Sequence, residues 1–148
     1  DRGMGALPGN IDEKFDPFMM PLNDKLFELT SATEAKKLTE KGIVRAMPIN
    51  YLRGASFKNE IIIADESQNF THKELITLLT RIGENTKMII CGDTMQSDIN
   101  SKSGFASIKG LFDDPNSVKQ GIHTFDFDYK DIKRSEILKY IVKQLEKL

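Results

Sequence analysis

Five side chains in the middle of this sequence carry the types and spacing of a reaction centre. Asp65, Glu66 and Gln68 close the run Glu60 to Gln68, E-I-I-I-A-D-E-S-Q; Asp93 and Gln96 close the run Lys87 to Gln96, K-M-I-I-C-G-D-T-M-Q. In each run, apolar residues lead straight into acids. Adjacent carboxylates can divide two tasks in nucleotide hydrolysis, the first binding Mg²⁺ through its waters and the second polarising the attacking water. A glutamine from a neighbouring strand can sense or position a terminal phosphate, and arginines neutralise charge that develops in phosphoryl transfer. Many strands end in solvated acids, so Asp65-Glu66 alone says little. The recurrence as Gly92-Asp93-x-x-Gln96 makes the pattern specific.

Two strands and a crossover helix must position these residues. Short apolar runs rich in isoleucine suit strands covered on both faces, and in parallel α/β sheets the working residues lie beyond the carboxyl ends of the strands. Between the runs, Phe70 to Gly83 reads as a helix. Thr71 and Glu74 form a capping box, Leu75, Leu78, Leu79 and Ile82 fall at helical spacing, and Gly83 supplies a C-terminal stop. A right-handed crossover makes the strands parallel and brings both acidic ends to one edge. Asp65, Glu66, Asp93 and Gln96 are therefore expected to converge.

The flanking sequence supplies further elements. Asp1 to Asn10 reads as a loop with a turn at Leu7-Pro8-Gly9. Asp16-Pro17 reads as an N-cap and first-turn proline opening a helix through Phe18, Met19, Leu22, Leu26, Phe27 and Leu29, which Pro21 kinks or restarts; its apolar stripe is core packing. Thr33 to Lys41, stopped by Gly42, is a charged, solvated helix. Ile43 to Pro48 reads as a strand. Ile49 to Ser56 reads as a loop whose Arg53-Gly54 either approaches an anion or is ordinary surface. Ser97 to Ser107 is a polar loop into a helix through Ile108 and Leu111, and Asp113 to Gln120 a turn-rich connection. Ile122 to Phe127 alternates like a fourth strand, with His123 either a polar residue of the strand face or, less readily, a ligand. Arg134 precedes a final helix, capped by Ser135, that carries Ile137, Leu138, Ile141, Val142, Leu145 and Leu148.

Composition sets the class. The chain has 148 residues, 39% hydrophobic and 29% charged, the balance of one soluble globular domain. No window is apolar enough to span a bilayer and no signal segment opens the chain, so a cytoplasmic protein with no membrane partner is expected. With 21 basic and 22 acidic side chains the net charge is −1, so nucleic acid binding would need a local patch. The single cysteine, Cys91, ends an apolar run and reads as a buried, reduced thiol; Asn69-Phe70-Thr71 is then a chance glycosylation match. No His or Cys cluster has zinc spacing. A start at Asp1 rather than methionine points to a piece of something longer.

Six stretches carry a family resemblance in series: L-P-G-N-I-D-E-K-F-D-P-F-M-M-P-L-N-D, Y-L-R-G-A-S-F, I-I-I-A-D-E-S-Q-N, L-T-R-I-G, G-D-T-M-Q-S-D and I-K-R-S-E-I-L. In this order they resemble the PhoH-like phosphate-starvation-inducible ATPases, P-loop proteins similar to the first RecA-like domain of superfamily 1 helicases. The resemblance implies an α/β fold, a RecA-like three-layer sandwich with a mostly parallel sheet, truncated at its N-terminus, with residues 1–148 as one partial domain. It implies ATP and Mg²⁺ as cofactors, with Asp65 and Glu66 as the Walker B pair and Asp65 on the metal. Gln68 becomes a nucleotide-proximal residue, Gly92-Asp93 and Gln96 the third motif, and Arg53, Arg81 and Arg134 phosphate-facing or subunit-interface arginines. It also implies RNA or single-stranded DNA as partners and a homo-oligomeric ring.

This chain departs from the family pattern in two places. It holds no Gly-x-x-x-x-Gly-Lys-Ser/Thr loop, so the phosphate cradle is expected upstream, and these residues alone should bind ATP weakly and hardly hydrolyse it. Ser67 stands where the family has alanine. By the family's sheet order, losing the P-loop strand leaves two edges unpaired, so the fragment is expected to pair with another chain or close up its sheet. Two other readings compete: a nucleotide-inactive module for assembly or RNA binding, and a metal nuclease, for which the extra ligands of a two-metal site are missing.

Overall fold

A computed structural model describes residues 11–52, 54–99, 102–145 and 147, with side chains from residue 19 onward. The expected loop over Asp1 to Asn10, Arg53, and Leu148 lie outside them. The chain divides into two compact units, one ending at Leu52 and one comprising the remainder.

The first unit holds helices α1 (Ile11–Leu29) and α2 (Ala32–Glu40). α1 starts earlier than expected and runs through Asp16-Pro17 and Pro21 without a break. Ser31 caps α2 by accepting from the Glu34 amide, and Ala35 and Leu52 are buried. Gly42 ends α2 with a left-handed φ of 65°. The expected strand at Ile43 to Pro48 does not form. The amides of Ile43 and Val44 both donate to Leu38 O, so the segment begins as the cap of α2, and Ile43 lies exposed.

The second unit carries the crossover. β1 (Ile61–Ala64) and β2 (Lys87–Ile90) pair in parallel, with Ile61 opposite Lys87 and Ala64 opposite Ile90. α3 (His72–Leu79) joins them. Its capping box is complete. Thr71 Oγ1 accepts from the Glu74 amide at 3.3 Å, and Glu74 Oε2 accepts from the Thr71 amide at 2.8 Å. Leu75 and Leu78 turn inward with Ala64, Phe57 and, from α4 (Phe105–Leu111), Ile108. The stop at Gly83 needs correcting: α3 ends at Leu79 with Thr80 as its cap. Gly83 is small for another reason, since a Cβ there would lie 2.1 Å from Phe57 O, where the chain entering β1 runs beside Ile82.

Three further expectations change. Asp113 to Gln120 contains a short helix, α5 (Pro115–Lys119), because Asp114 accepts from the Asn116 and Ser117 amides and Pro115 takes its first turn. The Ser117 hydroxyl, then these amides, hold the Asp114 carboxyl below its ordinary range. Ile122 to Phe127 forms no strand. Its start is closed onto α5 by the Ile122 amide and Ser117 O, and side chains tie it down further on, Thr124 Oγ1 donating to Asp113 Oδ1 at 2.6 Å and Lys109 Nζ to Asp126 Oδ2 at 2.8 Å; Phe125 and Phe127 are exposed, with the His123 and Phe125 rings stacked 6.3 Å apart. Cys91 is exposed rather than buried, because the sheet is covered on one face only. Ile61 (72% exposed), Ile63 (67%) and Ile89 share the open face. Helix α6 (Glu136–Leu145) follows Arg134. Among the described residues no helix is long and apolar enough to cross a membrane.

Candidate functional site at the carboxyl ends of the strands

The two strand ends are locked together beyond the last ladder pair. Cys91 N donates to Ala64 O and Ser67 N to Cys91 O, each at 2.8 Å, so the parallel register continues into both polar turns. Ser67 is fully buried, and its hydroxyl donates to Ala64 O at 3.0 Å. The serine therefore fits as a short internal bond, leaving the turn's path to the backbone.

Glu66 sits at the crest of this turn in the left-handed region, φ 52°, ψ 35°. Backbone strain of this kind in a non-glycine residue persists only where surrounding contacts hold it. Here they are explicit. Asp65 Oδ1 accepts from the Glu66 amide at 3.0 Å, and Glu66 Oε2 accepts from Gln68 Nε2 at 2.6 Å. Both carboxylates remain exposed.

Gln68 is 1% exposed and reaches across the rim. Its Oε1 accepts from the Asp93 amide at 3.0 Å. Asp93 in turn caps its own turn, Oδ1 accepting from the Met95 amide at 2.9 Å and Oδ2 from Gln96 Nε2 at 2.7 Å. One hydrogen-bonded chain, Glu66 to Gln68 to Asp93 to Gln96, thus joins the ends of β1 and β2. Gly92 makes room for it. A Cβ there would lie 3.0 Å from Gln68 N, Gln68 Oε1 and the Phe105 ring. Two more bonds brace the turns: Ser97 Oγ donates to Gln68 O at 3.0 Å, and Asp98 N to Asn69 Oδ1 at 2.8 Å.

The structure therefore brings together Asp65, Glu66, Gln68, Gly92, Asp93 and Gln96. It does not bring Arg81 or Arg134 there. Arg81 follows α3 at the starting end of the strands, where its carbonyl accepts from the Phe57 amide. Arg134 is exposed before α6, with no described contact to the rim. Reasoning from sequence missed the braces Ser97 and Asn69 and the double bond of Gln68. A glutamine two residues past an acid pair, facing a Gly-Asp turn, was the available signal. A cleft of about 520 Å³ lined by Asn59, Glu60, Asn85 and Lys87 opens at the opposite end of the strands, and a smaller one of about 220 Å³ adjoins Thr94 and Met95.

Parallel strands, a crossover helix and an acidic rim at the carboxyl ends define a mixed α/β protein, consistent with a fragment of a P-loop NTPase-like fold. The family model described as PhoH-like protein matches residues 1–146, and the chain belongs to that family. A PhoH-like protein of Bacillus subtilis (strain 168) is 35% identical over 146 residues, 97% of this chain and 44% of that protein. One of Synechocystis sp. (strain ATCC 27184 / PCC 6803 / Kazusa) is 34% identical over 97% of this chain and 43% of its own length. Protein PhoH of Escherichia coli (strain K12) is 40% identical over 101 residues, 67% of this chain and 28% of that protein. The chain spans less than half the length of these relatives.

Proposed function

We propose that these residues supply the cation-holding and water-activating carboxylates of a magnesium-dependent, ATP-hydrolysing PhoH-like protein. The observation that carries this reading is the hydrogen-bonded chain from Glu66 through Gln68 and Asp93 to Gln96, which sets two strand ends on one rim. Asp65 fits a cation held through water. It is exposed, and its Oδ2 makes no hydrogen bond among the described residues. No group of three or more His, Cys, Asp or Glu side chains there is placed to cage a metal ion, and magnesium is ordinarily held by one or two carboxylates plus phosphates and waters. When bound, Mg²⁺-ATP would bring the electrophilic phosphoryl group and a charge to balance it. Glu66 then accepts the proton of the attacking water, and Gln96, held by Asp93, offers its amide toward the terminal phosphate.

Arg134 and Arg53 are the arginines left to neutralise charge, and Arg81, at the far end of the strands, is better suited to a subunit contact. Assembly of several copies, and action on RNA or single-stranded DNA, belong to this proposal on family likeness. A second reading is a module that assembles or binds RNA without turning nucleotide over. Glu66→Gln in the whole protein decides between them. The account expects Mg²⁺-ATP binding within about threefold of wild type and turnover reduced by on the order of 10²-fold or more. Turnover at the wild-type rate would remove Glu66 from the chemistry, and a wild-type protein without ATPase activity would favour the second reading.

A further inference from the structure

We propose that Gln68 is a positioning residue, which orients the Glu66 carboxylate and couples it to the Asp93 turn, rather than a ligand of the nucleotide. The inference rests on the reading of Glu66 given above. Its orientation is set by donor and acceptor logic. The Asp93 amide can only donate, so the atom facing it at 3.0 Å is the carboxamide oxygen, and the amino group must then face Glu66 Oε2 at 2.6 Å. Both ends are engaged, and the side chain is 1% exposed.

Reaching a nucleotide would cost Gln68 both bonds. Its surroundings are close: a Cβ on Gly92 would already lie 3.0 Å from Gln68 Oε1, Ser97 Oγ holds the Gln68 backbone carbonyl, and Ser67 on its N-terminal side is fully buried. The exposed partner, Glu66, is the one that moves if the bond is lost, because its backbone is strained and its carboxylate has no other described side-chain hydrogen bond. Gln68 acts as a short rigid link, so a displacement of the Asp93–Gln96 turn is transmitted to Glu66.

The test uses the whole protein and four variants: Gln68→Met, Gln68→Glu, Glu66→Gln, and Glu66→Gln combined with Gln68→Met. Gln68→Met removes both bonds at similar volume. Gln68→Glu keeps the acceptor for the Asp93 amide and puts an oxygen against Glu66. Both are expected to lower kcat by roughly 10- to 100-fold with KM within about twofold, the pattern of a misplaced reacting group. In a Glu66→Gln background, Gln68→Met should leave the dissociation constant of Mg²⁺-ATP unchanged. A weakened constant there would make Gln68 a nucleotide ligand, and wild-type kcat in a folded Gln68 variant would equally overturn the proposal. Unfolding of both variants by thermal melt would assign Gln68 to the fold alone and also overturn it. Undiminished turnover in Glu66→Gln by itself would instead sink the reading of Glu66, and this inference with it.

Discussion

Glu66 is the residue at which backbone and chemistry conflict. Its φ of 52° is a conformation that L side chains adopt at a cost of about 1 kcal/mol, and no glycine relieves it. A glycine would remove the carboxylate proposed to activate water. Comparing Glu66→Gly with Glu66→Ala isolates the cost, since both lose the carboxylate and only alanine keeps the Cβ. Urea unfolding should find the glycine variant more stable by about 1 kcal/mol; equal stabilities would mean the turn relaxes once the carboxylate is gone. Residue types and spacing were enough to single out Asp65, Glu66, Asp93 and Gln96. The bridging role of Gln68 was not legible, because one of its two hydrogen bonds comes from the Asp93 amide, 25 positions away.

Helix α3 sets the distance between the two acidic turns, and its start is the local signal that reads most directly. Thr71 and Glu74 exchange hydrogen bonds at the point where the chain leaves the rim. Thr71→Ala should cost about 1 kcal/mol in urea unfolding, and restoring serine should recover most of it. No loss on alanine substitution would show that packing of Leu75 and Leu78 alone defines the helix start. Cap signals elsewhere were ambiguous for a physical reason. The dipeptide Asp-Pro occurs twice, inside α1 at 16–17 and at the true start of α5 at 114–115, and only tertiary surroundings separate the cases. Alternating or β-branched runs at 43–48 and 122–127 join no sheet ladder among the described residues, and runs this short need a neighbouring strand to persist. β1 and β2 succeed because α3 returns one beside the other.

At the scale of the molecule, one face of the parallel pair is finished and the other is not. Ile61, Ile63 and Ile89 stand in solvent, a surface of the kind proteins cover with another strand, helix or chain. Cys91 is exposed for this reason, where a sheet covered on both faces would have buried it. What the fold does complete is the rim, where residues from two strands meet at one side. Paramagnetic mapping tests this claim most directly: Mn²⁺ replaces Mg²⁺ with ATP in the isotope-labelled whole protein, and amide signals are followed for broadening. The account predicts that residues 65–68 and 92–96 broaden together while Asn59 and Asn85, at the starting ends of the same strands, stay sharp. Broadening at only one strand end, or at the Asn59 and Asn85 end, would contradict it.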